Sequence, residues 1–477
     1  MSFAELSVPK PSRARFPSVR VAKIPAVLLL VAGGVSAFVL IELGPYSRIS
    51  LAFSISLMAV GIAGLVVRHA AVVDICLMAA SIAVVVYAGE AGIEGLREFS
   101  AWRESNLKIK YAASQGRSFD LRSQREFLLA RRNEGTLMYP AFPRGLLLKE
   151  DPGASTEVVL RGNDGMPLLP FGSISQVQTV RGNEGGDYLV YASDEHGFHN
   201  PRGIWSEPQL EIAAVGDSFV QGESVRSDLN MIATIRARVP ETLNLGHGGN
   251  GPLSELGTIL EYLPARKPKV VLWVFCEEND LQEDLEREKH SSLMMRYLED
   301  PPNLQQLEQR QPEIDERLRR YFDLLMSSTV PDNSVVRRLR DWLTLHEVGL
   351  AAYQLRHPPQ EDFALFQRVL AAAQTAVSFW NGSLVFVYLP MQGNVSPAGT
   401  VRSARSRRIR DEVLRICAAL SIPVLDIEKR FLEEPSRLRD YFYPYHAHFT
   451  EKGYQRAGEL VLDELSRQSL LQSAQNR

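Results

Sequence analysis

Residues 211–222 read EIAAVGDSFVQG. The apolar run IAAV at 212–215 has the length and composition of a buried strand, and it stops at Gly216, Asp217 and Ser218. A serine there can be a turn residue, a helix N-cap or a nucleophile held at the rim of a sheet. The later segments of the chain narrow the choice. A helical stretch covers about 225–238, ETLNLG is a short strand, and SELGTILEYL is helical. KVVLWVF at 269–275 is a strand apolar on both faces. GSLVFVYLP at 382–390 and IPVLDI are further strands, separated by the helical SRRIRDEVLRICAAL and succeeded by GYQRAGELVLDELSRQ. Strands alternating with helices predict an α/β fold, a mostly parallel sheet with helices on both faces. Ligands of such sheets sit beyond the carboxyl ends of the strands. Ser218, Gly249 and Asn279 all fall just past such ends.

Three further polar stretches share that position or precede the last helix: NLGHGGNGP at 244–252, CEENDL at 276–281 and YPYHAHFTEKGY at 443–454. With GDSF at 216–219 they form four blocks in order, and together they resemble the SGNH (GDSL-type) hydrolases. The segment DEHGFHN at 194–200 is similar to a lead-in of membrane-linked bacterial members. The resemblance implies a fold and a chemistry. Ser218 would be the nucleophile and His448 the base that takes its proton, since a serine hydroxyl attacks poorly unaided. The backbone N–H groups of Ser218 and Gly249 and the side-chain amide of Asn279 would hold the oxyanion.

Two departures stand out. The family carries an aspartate two or three residues before the catalytic histidine, and here those places hold His446 and Tyr445. His446, Asp440 and Glu451 are the candidates to orient His448, or the site runs as a Ser–His dyad. Glu277 and Glu278 stand where the family often has a glycine before Asn-Asp.

The N-terminal region is of another kind. Residues 24–41 and 49–67 carry no charge, and 75–89 form a third apolar run, extended to about 93 if Glu90 sits at an interface. Each approaches the length that crosses a bilayer, so the expectation is three transmembrane helices at about 24–43, 49–67 and 72–93. A cleaved signal peptide would account for the first run alone. Lys10, Arg13, Arg15, Arg20 and Lys23 precede the first span, which places the N-terminus in the cytoplasm and everything after about residue 95 in the periplasm or outside a bacterial cell.

The expected organisation is a membrane region over 1–94, a linker with a small β-rich accessory segment over 95–205, and a hydrolase-like domain over 206–470. The accessory segment is punctuated by glycines at 162–165 and 182–186. A helical insert at about 291–380 fits an amphipathic lid, a surface against the membrane or a solvated face. The net charge of −3 over 477 residues gives no sign of a nucleic-acid partner. Three scattered cysteines, and histidines at 199, 247 and 446 without metal-ligand spacing, predict neither a disulfide framework nor a metal centre. No cofactor is expected. The function so implied is a membrane-anchored extracytoplasmic serine esterase or O-acyltransferase. Its substrate would be an O-acyl, for instance acetyl, ester of an envelope glycan or lipid. The alternative is an inactive member of the fold serving as a glycan-binding or assembly module, which the absent aspartate favours.

Overall fold

The structure, a computed structural model, describes residues 19–43, 48–67, 69–142, 147–150, 156–327, 334–356, 361–395, 403–445 and 448–470. The basic residues before Val19 and the candidate His446 lie outside the described residues. The chain forms two compact units, residues 1–102 with 330–358, and residues 103–329 with 359–477.

Three helices begin the first unit: α1 (Val19–Leu43), α2 (Arg48–Val66) and α3 (Ala70–Ser114). The apolar part of α3 is long enough to cross a membrane, while the apolar segments Lys23–Phe38 and Ser50–Val66 of the other two are shorter. Small residues let α1 and α2 touch closely. A Cβ on Gly33 would lie 2.6 Å from the Ser54 carbonyl oxygen, and one on Gly61 2.7 Å from that of Ala26. Outward the helices present Leu28, Val31, Phe38, Ile82, Val84 and Val85, all exposed.

The third helix differs from the expected span. It continues past residue 93 to Ser114, because EAGIEGLREFSAWRESNLKIKYAAS carries no proline and supports i,i+4 pairs such as Glu104–Lys108, 2.6 Å apart. Its last turns, from Arg103 on, belong to the second unit.

The second unit continues with α4 (Gln124–Asn133), which opens on a Ser123/Glu126 capping box. Two small sheets come next. One pairs β1 (Tyr139–Pro140) with β4 (Gln178–Val180) and β5 (Val190–Ala192); the other pairs β2 (Leu148–Glu150) with β3 (Thr156–Val158). The main sheet has five strands, all parallel: β6 (Ile212–Val215), β7 (Thr242–Asn244), β8 (Val270–Cys276), β9 (Ser383–Leu389) and β10 (Val424–Asp426), in the order β10-β9-β8-β6-β7. The chain winds one way from β6 to β7 and the other way through β8 to β10, so a topological switch point falls beside β6.

The sheet is buried on both faces, and its side chains alternate between two cores with period two. Val271, Trp273 and Phe275 of β8 with Leu384, Phe386 and Tyr388 of β9 face one side. Val270, Leu272 and Val274 with Val385, Val387 and Leu389 face the other. The first core also takes in Phe127, Phe142, Leu168 and Phe171, so the accessory segment and the sheet share one hydrophobic interior. Helices α5 (Ser218–Gln221), α6 (Met231–Arg236) and α7 (Pro252–Tyr262) come after the first strands.

The stretch expected as a single helical insert divides into three parts. Helix α8 (Gln311–Ser327) packs in the second unit, α9 (Ser334–Leu343) and α10 (His346–Arg356) in the first. Helix α11 (Phe363–Ser378) is an ordinary crossover helix between β8 and β9. It buries Phe366, Val369, Leu370, Ala373 and Val377, a helical stripe on the sheet. Helices α12 (Ala404–Ala419) and α13 (Glu451–Arg467) complete the layers.

Candidate active site

The serine block forms a tight turn from β6 into α5. Asp217 is the N-cap: its Oδ1 accepts from the Phe219 N–H at 2.8 Å. Ser218 is thus the first residue of a short helix, and its own N–H has no partner within that helix. Thr450 caps α13 from the other side, its hydroxyl accepting from Gly453 N–H at 3.2 Å, and this fixes the chain just after His448. The two elements bring Ser218 Oγ to 2.7 Å from His448 Nε2, across 230 residues of sequence. Phe219 packs against the imidazole at 4.8 Å between ring centroids.

The Nδ1 edge of the imidazole meets a residue that sequence reasoning missed. Glu184 Oε1 lies 3.0 Å from His448 Nδ1, and its second oxygen accepts from the His448 backbone N–H at 3.3 Å. Neither Asp440 nor Glu451 takes that place. The Asp440 carboxylate faces Lys452 Nζ at 3.5 Å on the surface, and Glu451 opens α13. Glu184 comes from the loop between β4 and β5, in the stretch Gly182-Asn183-Glu184-Gly185-Gly186, which in the sequence has the look of turn punctuation alone.

That loop is tied down on every side. The Asn183 amide donates to the Asp120 and Gly186 carbonyls at 3.0 and 3.1 Å, and its oxygen accepts from the Gly186 N–H. Gly182 must be small, because a Cβ there would lie 2.2 Å from Glu223 Oε1, the group that accepts from its N–H at 2.8 Å. Glu223 is itself paired with Arg181 in the interior. Tyr445 donates to the Glu184 carbonyl, and its ring stacks on Tyr443, which meets Tyr111 of α3 edge-on at 5.1 Å.

The electrostatics derive from this packing. Burial disfavours a charged imidazole, but Glu184, then Glu223 and Asp217, outweigh it and raise His448 to about 9. With a carboxylate against it, Nδ1 is the nitrogen that donates to Glu184, and Nε2 is the atom that faces Ser218.

The expected oxyanion residues surround the serine turn unevenly. Gly249 lies in the turn after β7 with φ of +76°, a left-handed conformation that suits glycine. Asn279 comes after β8, but its amide donates to Asp217 Oδ2 at 3.1 Å and to Asp284 Oδ2 at 2.7 Å. Burial raises both acids, Asp284 to about 7. Glu277 is turned away from the site and accepts from Tyr388, Asn394 and Ser406.

Of the other histidines singled out in the sequence, His199 and His247 are held by structural contacts. His199 stacks on Tyr191 and bonds the Gln221 carbonyl at 2.8 Å; burial lowers it to about 4. His247 meets Ser173 Oγ at 3.0 Å. Among the described residues no group of three or more His, Cys, Asp or Glu is arranged to hold a metal ion. The three cysteines are unpaired thiols and buried.

A parallel sheet of this order, with a serine turn after its first strand and a histidine before its last helix, defines an SGNH-type α/β hydrolase fold. The family model of GDSL-like lipases and acylhydrolases matches residues 214–456, just over half of the chain, and the protein belongs to that family. Similar solved structures include an acetyl xylan esterase, AlAXEase, with 10% identity, 54% of this chain and 100% of that one covered, and a TM-score of 0.32. A lipase/acylhydrolase from Enterococcus faecalis has 14% identity, 55% and 97% coverage and a TM-score of 0.32. TesA has 12% identity, 55% and 99% coverage and the same TM-score. No curated protein matches the chain. Glu184 lies outside the matched range, so the family pattern carried no signal for it.

Proposed function

We propose that the protein is a serine esterase or O-acyltransferase working through an acyl-enzyme on Ser218. The observation that carries this reading is the unbroken chain Ser218 Oγ–His448 Nε2, His448 Nδ1–Glu184 Oε1, at 2.7 and 3.0 Å. His448 takes the Ser218 proton as the hydroxyl oxygen attacks the ester carbonyl, then returns it to the departing alkoxide. Glu184 holds the imidazole in the required tautomer and balances its charge. The Ser218 and Gly249 N–H groups and the Asn279 amide are the donors for the oxyanion. Asn279 serves once its amide turns from Asp217 or Asp284 toward the substrate oxygen. Water or a hydroxyl group then accepts the acyl group.

The substrate class that suits this site is an O-acyl ester, acetyl among them, on an envelope glycan or lipid. The apolar α1–α3 anchor the chain as a multi-pass protein of the bacterial cell membrane, with the hydrolase domain on the periplasmic or outer side. The alternative of an inactive module draws on the absent aspartate, and the Glu184 carboxylate 3.0 Å from His448 Nδ1 supports the catalytic reading over it.

The test is a fluorophosphonate probe applied to the full chain in detergent, with the adduct located by mass spectrometry. An adduct on Ser218 that disappears in Ser218→Ala and His448→Ala is the expected result. A folded protein that takes no adduct on Ser218, while an unrelated esterase in the same detergent does, overturns the reading.

A further inference from the structure

Glu90 is a carboxylate within the long third helix, only 1% exposed, and no residue of the hydrolase chemistry explains it. Its partners are the backbone N–H groups of Glu347 and Val348, each 2.8 Å away. They are the first turn of α10, so Glu90 caps that helix from another part of the chain. The carbonyl at the end of α9 is met in the same way. Leu343 O accepts from Ser36 Oγ of α1 at 2.6 Å and from Tyr87 OH of α3 at 3.4 Å. Ser36 also bonds Ser54 Oγ of α2 at 2.8 Å, and Trp342 Nε1 donates to the Tyr87 carbonyl at 3.2 Å while its ring lies 4.8 Å from that of Tyr87.

Polar groups from α1 and α3 thus converge on one turn, residues 343–348, and Ser54 of α2 joins them through Ser36. The depth of that turn is set by the helices. Ser36 lies inside the apolar segment Lys23–Phe38, and α1 runs on to Leu43, about 10 Å further at 1.5 Å per residue. Ser54 lies likewise inside the apolar segment Ser50–Val66 of α2. Irregular backbone is tolerated at membrane depth only where protein groups satisfy its N–H and C=O. The turn has that protection. Ionic contacts begin at the turn itself, Arg97 with Glu347 at 2.6 Å, and Arg338 of α9 meets Glu98 at 2.8 Å, as expected near the level where lipid gives way to water. Leu339 and Leu350, on the two helices, remain exposed, as do Leu96, Phe99 and Trp102 on the same stretch of α3.

We infer that α9, the turn and α10 form a helical hairpin that returns to the membrane and seats its turn in the outer leaflet, with Leu339 and Leu350 in contact with lipid. The inference rests on the reading that α1–α3 cross the bilayer. It assigns the inserted segment a lipid partner, and it gives Glu90, Ser36 and Tyr87 their role as internal partners of the hairpin backbone.

The experiment uses the full chain in vesicles of phosphatidylethanolamine and phosphatidylglycerol. Single cysteines at Val85, Leu339 and Leu350, with the buried native cysteines replaced by serine, carry an environment-sensitive fluorophore. It is challenged with nitroxide-labelled lipid and with aqueous iodide. The expected result is lipid quenching at V85C, L339C and L350C alike, with little effect of iodide. Quenching by lipid at V85C together with iodide quenching at L339C and L350C overturns the hairpin while leaving the spans intact. Iodide quenching at V85C itself overturns the membrane reading and the hairpin with it. Glu90→Ala gives an independent check: it should expose L350C to iodide and leave V85C shielded. Unchanged quenching at L350C in that variant contradicts the role of Glu90.

Discussion

Replacing Glu184 by glutamine changes one oxygen for an amide nitrogen and leaves the loop's own bonds through Asn183, Gly182 and Tyr445 in place. The size of the effect is read from His448. Its imidazole is held at about 9 instead of the ordinary 6.5, although burial pulls the other way. At 1.36 kcal/mol per pKa unit, the surrounding acids favour the charged form by about 3 kcal/mol net. Glu184 is the nearest of them and bonds Nδ1 directly; Glu223 and Asp217 act over a longer range. The amide also permits the wrong tautomer, with Nδ1 as acceptor and Nε2 protonated toward Ser218, which costs up to about 10⁴ in a well-studied triad. A fall in kcat of roughly 10²–10⁴ is therefore expected for hydrolysis of an aryl acetate. The pH profile supplies the second readout. A base must be neutral to act, so kcat/KM of the unaltered protein should rise with pH through about 9 and level off above it. In E184Q the rise should move to lower pH, because burial then dominates. Glu184→Asp, one methylene shorter, should recover part of kcat. An E184Q protein with kcat within about twofold of the parent and an unmoved pH profile would refute the reasoning, since a group 3.0 Å from Nδ1 that matters must change both.

Linkage gives the same contact a signature in stability. A raised histidine pKa stabilises the fold most below the unfolded value of about 6.5, and that stability is lost as pH rises through about 9. The gap in Tm between the parent and E184Q should be widest near pH 6 and close above about pH 9, as differential scanning fluorimetry at a series of pH values will show. Asn279→Ala should lower kcat by about 10²–10³ with KM less affected; equal losses in binding and turnover would mean that the amide does not serve the oxyanion. Gly249→Ala places a Cβ at a φ of +76° and should cost about 1–2 kcal/mol by denaturant unfolding, with a drop in turnover if its N–H faces the oxyanion. Phe171→Ala, fully buried against Gly257 and Tyr297, should destabilise the second unit by about 3–5 kcal/mol while Ser218 still takes a fluorophosphonate below the shifted Tm.

The parallel sheet is legible in the sequence because burial on both faces leaves long apolar runs, VVLWVF and LVFVYL, bounded by polar blocks. Ser218 and His448 are legible for a related reason, since each stands at the junction of a strand or loop with a helix and within a recurrent block. Glu184 is not, and its invisibility has a physical cause. The contact with His448 spans 264 residues, and a glycine-rich hairpin loop looks the same whether its glutamate faces solvent or an imidazole. Residues 334–356 are obscured differently. VVRRLRDWL has the alternation of a solvated amphipathic helix, and nothing in it points to Ser36 and Tyr87, which meet the carbonyl at its end, or to Glu90, which caps the helix after it. The helix expected over 225–238 begins later for a simpler reason. The Asn230 side chain accepts from the Ala233 N–H at 2.8 Å and starts the helix at Met231.

The central claim is a covalent acyl-serine formed with the help of His448 and Glu184. Its most direct measurement is rapid acid quenching of the full-length protein during turnover of an aryl acetate, with peptide mapping of the quenched chain. The account predicts an acetyl group on the peptide that contains Ser218 in the parent protein, much less in E184Q and none in H448A. Turnover by a folded protein with no acetyl on Ser218, or with equal acetylation in H448A, would contradict it.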